Sequence, residues 1–156
     1  VVTREMREGR AYRPRGRAVW RVLGLEFEFI SVKEKHLFGH QQDWVSRWHR
    51  VAITDPERTV LDMIAHPRVF GSLRVSIETL EAHLARLDME KLVGYALCYD
   101  VGAVIKRLGW ILEALGAPDS VIAPLQAYPV RTYCLLDLTG APDGVPVARW
   151  KIRNNL

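Results

Sequence analysis

The sequence predicts an α+β fold in one domain, a mixed or antiparallel sheet of N- and C-terminal strands packed against about four central helices. Three observations predict it. Leu25 to Val32 alternates apolar and acidic residues, apolar positions then recur every three or four residues from Val60 to Leu115, and β-forming stretches return from Thr132 to Ile152. No internal repeat or low-complexity segment interrupts this order.

Leu25, Phe27 and Phe29 fall on one side of the first strand and Glu26 and Glu28 on the other, as in a half-buried strand. Arg47 to Thr54 reads as a second strand, since Trp48, Val51 and Ile53 favour β structure and the run stops at Asp55-Pro56. A helix starts there. Thr54 and Glu57 have capping-box spacing, and Asp55 with Pro56 at the first helical position is an equally good cap one residue later. Val60, Leu61 and Ile64 give this helix a buried face, and Pro67 ends it.

Ser76 is the expected cap of a helix whose Ile77, Leu80, Leu84 and Leu87 form one stripe. Asp88 caps a shorter helix to about Tyr99. Asp100 opens the next, with Val101, Val104, Ile105, Leu108, Leu112 and Leu115 inward, and Gly116 and Pro118 stop it. After a short helix near Val121 to Gln126, strands are expected at Thr132 to Leu136 and Val147 to Ile152, joined by the turn-rich Gly140-Ala141-Pro142-Asp143-Gly144.

The 156 residues, 49% of them hydrophobic, suffice for one core. No apolar run approaches the ~20 residues of a membrane span, and the basic N-terminus is not followed by a secretory hydrophobic segment. A cytoplasmic protein without a membrane partner is expected. The chain begins at Val1 rather than Met, as in a processed product or a fragment. Cys98 and Cys134 lack CxxC spacing and are expected to be buried, reduced thiols. Charge is concentrated in a basic arm, residues 1–21, where seven arginines face only Glu5 and Glu8, an excess of five. Within the arm, Arg10, Arg13, Arg15, Arg17 and Arg21 are the nucleic-acid-binding candidates. In an extended chain, Arg13, Arg15 and Arg17 project to one side about 7 Å apart, close to the spacing of phosphates along a strand.

Catalytic chemistry finds no support in the sequence. His36 and His40 are the nearest local pair of metal ligands, Gly39 argues against the helix they would need, and no second pair completes a site. No cofactor is expected. Asp55, Glu57 and Asp62 resemble an acid/base set until helix geometry assigns the first two to the helix start and pairs Asp62 with Arg58 one turn back. No GxSxG elbow, phosphate loop or nucleophilic cysteine context occurs. Lys106, Arg107 and Trp110 are therefore expected to serve partner binding, with Lys106 and Trp110 one turn apart opposite the leucines and Gly102 and Gly109 leaving the backbone approachable. In the alternative, Trp110 packs under the C-terminal strands.

Three stretches together resemble the C-terminal domain of AbiEi-type antitoxins: Ile53-Thr54-Asp55-Pro56-Glu57-Arg58-Thr59-Val60-Leu61-Asp62, Arg107-Leu108-Gly109-Trp110-Ile111-Leu112-Glu113 before Leu115-Gly116, and Arg149-Trp150-Lys151-Ile152-Arg153-Asn154. The resemblance implies an antitoxin and transcription-regulatory domain of a type IV toxin–antitoxin system acting in viral defence. Its partner would be a cognate nucleotidyltransferase-like toxin, and it would assist DNA binding. The winged helix that reads operator DNA in such proteins would lie upstream of Val1, so this chain alone is expected to bind DNA weakly and without sequence preference. Two other readings stand beside it: a general nucleic-acid-binding module using the arginine arm, and a nuclease or nucleotidyltransferase using Asp55, Glu57 or Asp62.

Overall fold

Strands from both ends and a helical centre give the chain its α+β class. The computed structural model describes residues 18–22, 25–30 and 32–156. They divide into two compact units, one ending at Thr54 and the other running from Asp55 to Leu156.

The described residues of the first unit form two antiparallel hairpins. β1 (Ala18–Val22) pairs with β2 (Leu25–Phe29), and β3 (His40–Trp44) with β4 (Arg50–Thr54), the second hairpin following a 3-10 turn at Glu34–His36. Phe27, on the face expected to be covered, is 47% exposed.

In the second unit, five helices and a small sheet enclose the core. Helix α1 (Pro56–Ala65) is capped by Asp55, whose carboxylate accepts the Arg58 N–H at 2.8 Å. Glu57 does not complete the box with Thr54. It accepts instead from the Asp88 N–H at 3.0 Å, so its carboxylate ties α1 to the start of α3 (Met89–Tyr99). Helix α2 (Leu73–His83) begins four residues before the expected position. Ser72 is its cap, while Ser76 is buried inside it and donates its hydroxyl to the Met63 carbonyl of α1. Asp88 caps α3 as expected, accepting the Lys91 N–H at 3.0 Å. Asp100 closes α3 rather than opening the next helix, in left-handed backbone with φ 56°. Helix α4 (Gly102–Ala114) follows, then α5 (Asp119–Ala127).

The expected strand at Val147 to Ile152 is two strands. β6 (Val145–Val147) turns through residues 148–151, with Lys151 at φ 51°, into β7 (Ile152–Asn154). β7 pairs antiparallel with β6 and parallel with β5 (Cys134–Leu135). The strands thus form three separate small sheets instead of one joining both ends of the chain. Three of the four pairings, β1–β2, β3–β4 and β6–β7, join neighbours in sequence, as short connections favour, and β5–β7 is the exception. Helix α4 is central to the unit, with Val104, Ile105, Leu108, Ile111 and Leu112 buried, and Trp150, 0% exposed, packs against it from the turn before β7. Among the described residues, no helix is long and apolar enough to cross a membrane.

Candidate interaction surfaces

The carboxylates suspected of acid/base work are held in place by neighbours. Lys91 on α3 places its ammonium 2.9 Å from Glu57 and 3.2 Å from Asp55, and the Tyr95 hydroxyl donates to Asp55 at 2.8 Å. Burial alone would raise the Asp55 carboxyl. The Arg58 N–H, Tyr95 and Lys91 outweigh it and hold the pKa below the ordinary carboxylate value. Glu57 is likewise lowered, its burial outweighed by the Asp88 N–H and Lys91. Hydrogen bonding to Glu57, then to Asp55, raises Lys91. All three groups are therefore charged at neutral pH, and each already has a partner. Asp62 pairs with Arg58 at 2.8 Å, as its spacing predicts. Among the described residues, no group of three His, Cys, Asp or Glu side chains could hold a metal ion.

Helix α4 corrects the expected partner face. Lys106 is only 2% exposed, and its ammonium donates to the Leu125 and Gln126 carbonyls at 3.1 and 2.7 Å. It thereby satisfies acceptors left open at the end of α5. Burial lowers its pKa. Arg107 is 3% exposed and donates from Nε to the Leu135 carbonyl of β5 at 3.0 Å. Neither side chain faces outward, because α4 is covered on both the α5 side and the sheet side. Trp110 alone of the three reaches the surface. It is half-buried in an open groove of about 340 Å³ that it lines with Arg74, Ile77, Glu78, Ile111, Ala114 and Leu156.

The approach of another group to Gly109 does occur, and the group is Trp150. The Trp150 indole N–H donates to the Glu113 carboxylate, which also accepts Arg149 at 2.7 Å. Residues from the second and third stretches that carry the family resemblance thus meet in one contact set. Of the arginine arm, Arg10, Arg13, Arg15 and Arg17 lie outside the described residues, and Arg21 stands in β1 opposite Glu26 in register. Cys98 is exposed and Cys134 partly so, against the expectation that both are buried.

The hairpin β3–β4 supplies a surface that the sequence reading overlooked. Every residue from His40 to Val51 is exposed. Trp48, expected within a strand, sits in the connecting loop at 85% exposure. Val45 N–H donates to the His49 carbonyl at 3.0 Å to close that loop. The Ser46 hydroxyl oxygen accepts from the Trp48 and His49 N–H groups at 3.2 and 3.1 Å. Trp44 and Arg50 are register partners, with the guanidinium 4.1 Å from the ring centroid and Trp44 still 56% exposed. A signal was present in the sequence: residues 44–54 contain two tryptophans and two arginines but no acidic residue.

Comparison of the chain with protein-family models, curated proteins and solved structures finds no match.

Proposed function

We propose that the chain is a binding module rather than a catalyst, acting as the antitoxin and regulatory domain of a type IV toxin–antitoxin system against a nucleotidyltransferase-like toxin. One observation carries the choice of binding over chemistry. Of the buried ionisable groups, Asp55, Glu57, Arg58, Lys106 and Arg107 are bonded into the frame, while Trp110 stands half-buried in an open groove. Among the described residues, these groups hold the frame together, and the groove is left as a surface for a partner. Support for the family reading comes from the Gly109, Glu113 and Trp150 contact set, which gives two of its stretches a common structural reason.

On this reading the toxin packs over the groove, with Trp110 as the aromatic anchor and Arg74 and Glu78 at its rim. Lys106 and Arg107 support that face from within. The arginine arm adds weak, non-specific DNA binding. Co-expression with a nucleotidyltransferase-like toxin encoded beside this chain tests the proposal. Growth should be restored, the two proteins should co-purify, and a folded Trp110→Ala variant should restore growth less. A folded chain that leaves the toxin fully active overturns the antitoxin reading.

A further inference from the structure

The hairpin β3–β4 has a chemistry that differs from that of the Trp110 groove. Its tip combines flat aromatic rings, guanidinium groups and the absence of negative charge from Trp44 to Thr54. Asp43, the nearest acid before the tip, accepts the Trp44 N–H at 2.8 Å. The Ser46 hydroxyl bonds both the loop backbone and the His49 ring, at 3.0 Å to Nδ1, so the loop is organised by its own hydrogen bonds. Arg50 lies over Trp44 and restrains that ring. Trp48 has no such cover.

An exposed tryptophan flanked by Arg47 and Arg50 matches a ligand that alternates flat rings with negative charge. We propose that the hairpin tip, Trp44 to Arg50, is a binding site for single-stranded nucleic acid, with Trp48 stacking on an unpaired base and Arg47 and Arg50 holding adjacent phosphates. Single strands fit better than duplex because base faces in a duplex are already stacked on one another. Phosphates alone would engage the arginines equally in either form and leave Trp48 unused. Trp48 lies in the exposed loop joining β3 and β4, between Arg47 and His49.

The test uses the whole chain and fluorescein-labelled oligothymidylate, oligouridylate and mixed-sequence duplex, each of about 12 nucleotides or base pairs, within the span of known single-strand sites. Trp48→Ala should weaken single-strand binding about tenfold, in the range of one lost stacking contact, and change duplex binding less than about twofold. Trp48→Phe should restore most of the difference, since a smaller ring still stacks. Neutralising Arg47 and Arg50 together should flatten the single-strand salt slope by roughly 1.4, at about 0.7 per phosphate. At 85% exposure, Trp48 can be replaced with little risk to folding. The ratio of single-strand to duplex affinity separates the tip from the arginine arm, whose phosphate contacts act on both ligands.

Three outcomes overturn the proposal: unchanged single-strand affinity in Trp48→Ala, equal loss on both ligands, or lost toxin binding with single-strand binding intact. The last would make the tip a protein-binding face. Failure of the chain to neutralise a toxin would leave the single-strand ratio untouched, so this inference and the antitoxin reading stand or fall separately.

Discussion

Replacing glycine with alanine at two helical positions should change stability in opposite directions. In a helix interior the change stabilises by about 0.8–1.0 kcal/mol, because alanine loses less backbone entropy on folding. At Gly94 in α3, a new Cβ would meet nothing within 4 Å, so this gain should stand. At Gly109 in α4, the Cβ would fall within 2.8 Å of three atoms of the Trp150 ring. The ring is fully buried and its indole N–H is tied to Glu113, so it has little room to retreat. Overpacking costs about 1–3 kcal/mol, and a blocked ring belongs at the upper end. Subtracting the propensity gain leaves a net loss of roughly 2 kcal/mol at Gly109 and a gap of about 3 kcal/mol between the variants. Urea unfolding of the helical unit, followed by circular dichroism, should place Gly109→Ala about 1 M below and Gly94→Ala about 0.5 M above the parent midpoint, for a slope near 2 kcal/mol/M. A Gly109→Ala midpoint equal to or above the parent's would refute the packing argument. So would a loss at Gly94 as large as the one at Gly109.

Asp55→Ala should cost about 2 kcal/mol, the upper end for a lost cap, because Tyr95 and Lys91 lose the same acceptor; equilibrium unfolding at neutral pH checks this. The lowered pKa values of Asp55 and Glu57 fix the sign of the pH dependence. Their contribution is fully present above their ordinary values of 3.8 and 4.5 and is lost as pH falls through the lower folded values. Parent stability should therefore hold from pH 7 to about 5 and then drop, with a smaller acid drop in Asp55→Ala. Lys106→Met keeps the apolar stem but leaves the Leu125 and Gln126 carbonyls without their donor, so a loss of about 1–3 kcal/mol is expected in urea titrations. Replacing Arg13, Arg15 and Arg17 with neutral residues should flatten the salt dependence of duplex binding by up to about three units, at roughly 0.9 per lost contact. A tight, sequence-selective complex of this chain with operator DNA would contradict the phosphate-only reading of the arm.

Local chemistry was the legible part of the sequence. Asp55-Pro56, Asp88 and the Arg58–Asp62 spacing need only their own helix turn to act, and all three take the roles their positions predict. Ser76 and Asp100 show where local rules compete. Both are good cap residues, yet Ser72 lies closer to the Gly71 break at φ 99°, and the Ser76 hydroxyl is used across elements by Met63. Asp100 takes the left-handed end of α3 that short polar side chains tolerate, and its carboxylate accepts from Tyr128 at 2.6 Å. β3 was missed because His40-Gln41-Gln42-Asp43 has no apolar alternation. Pairing with β4 makes it a strand.

The misplacement of Lys106 and Arg107 has a different origin, and it determines how the candidate surface is read. Opposition to a leucine stripe implies solvent only when a helix has a solvent face. In Gly102 to Ala114 the strongly polar side chains are Lys106, Arg107 and Glu113, and the remainder is apolar or glycine. A helix that is apolar nearly all round is a buried helix, so its few charges must find partners inside the fold. Long side chains can do so by reaching the carbonyls of neighbouring elements, as both cations do at Leu125, Gln126 and Leu135. The same reasoning explains why Trp110 could not be placed from its spacing. On a helix covered by both α5 and the C-terminal sheet, only the side toward Arg74 and Ile77 remains open, and that opening depends on where α2 packs rather than on α4 itself. Removing the open side therefore tests the surface more directly than removing the cations. If the proposed antitoxin role holds, Trp110→Ala should change toxin affinity with little loss of stability, whereas Lys106→Met should lower stability first and affinity only through it.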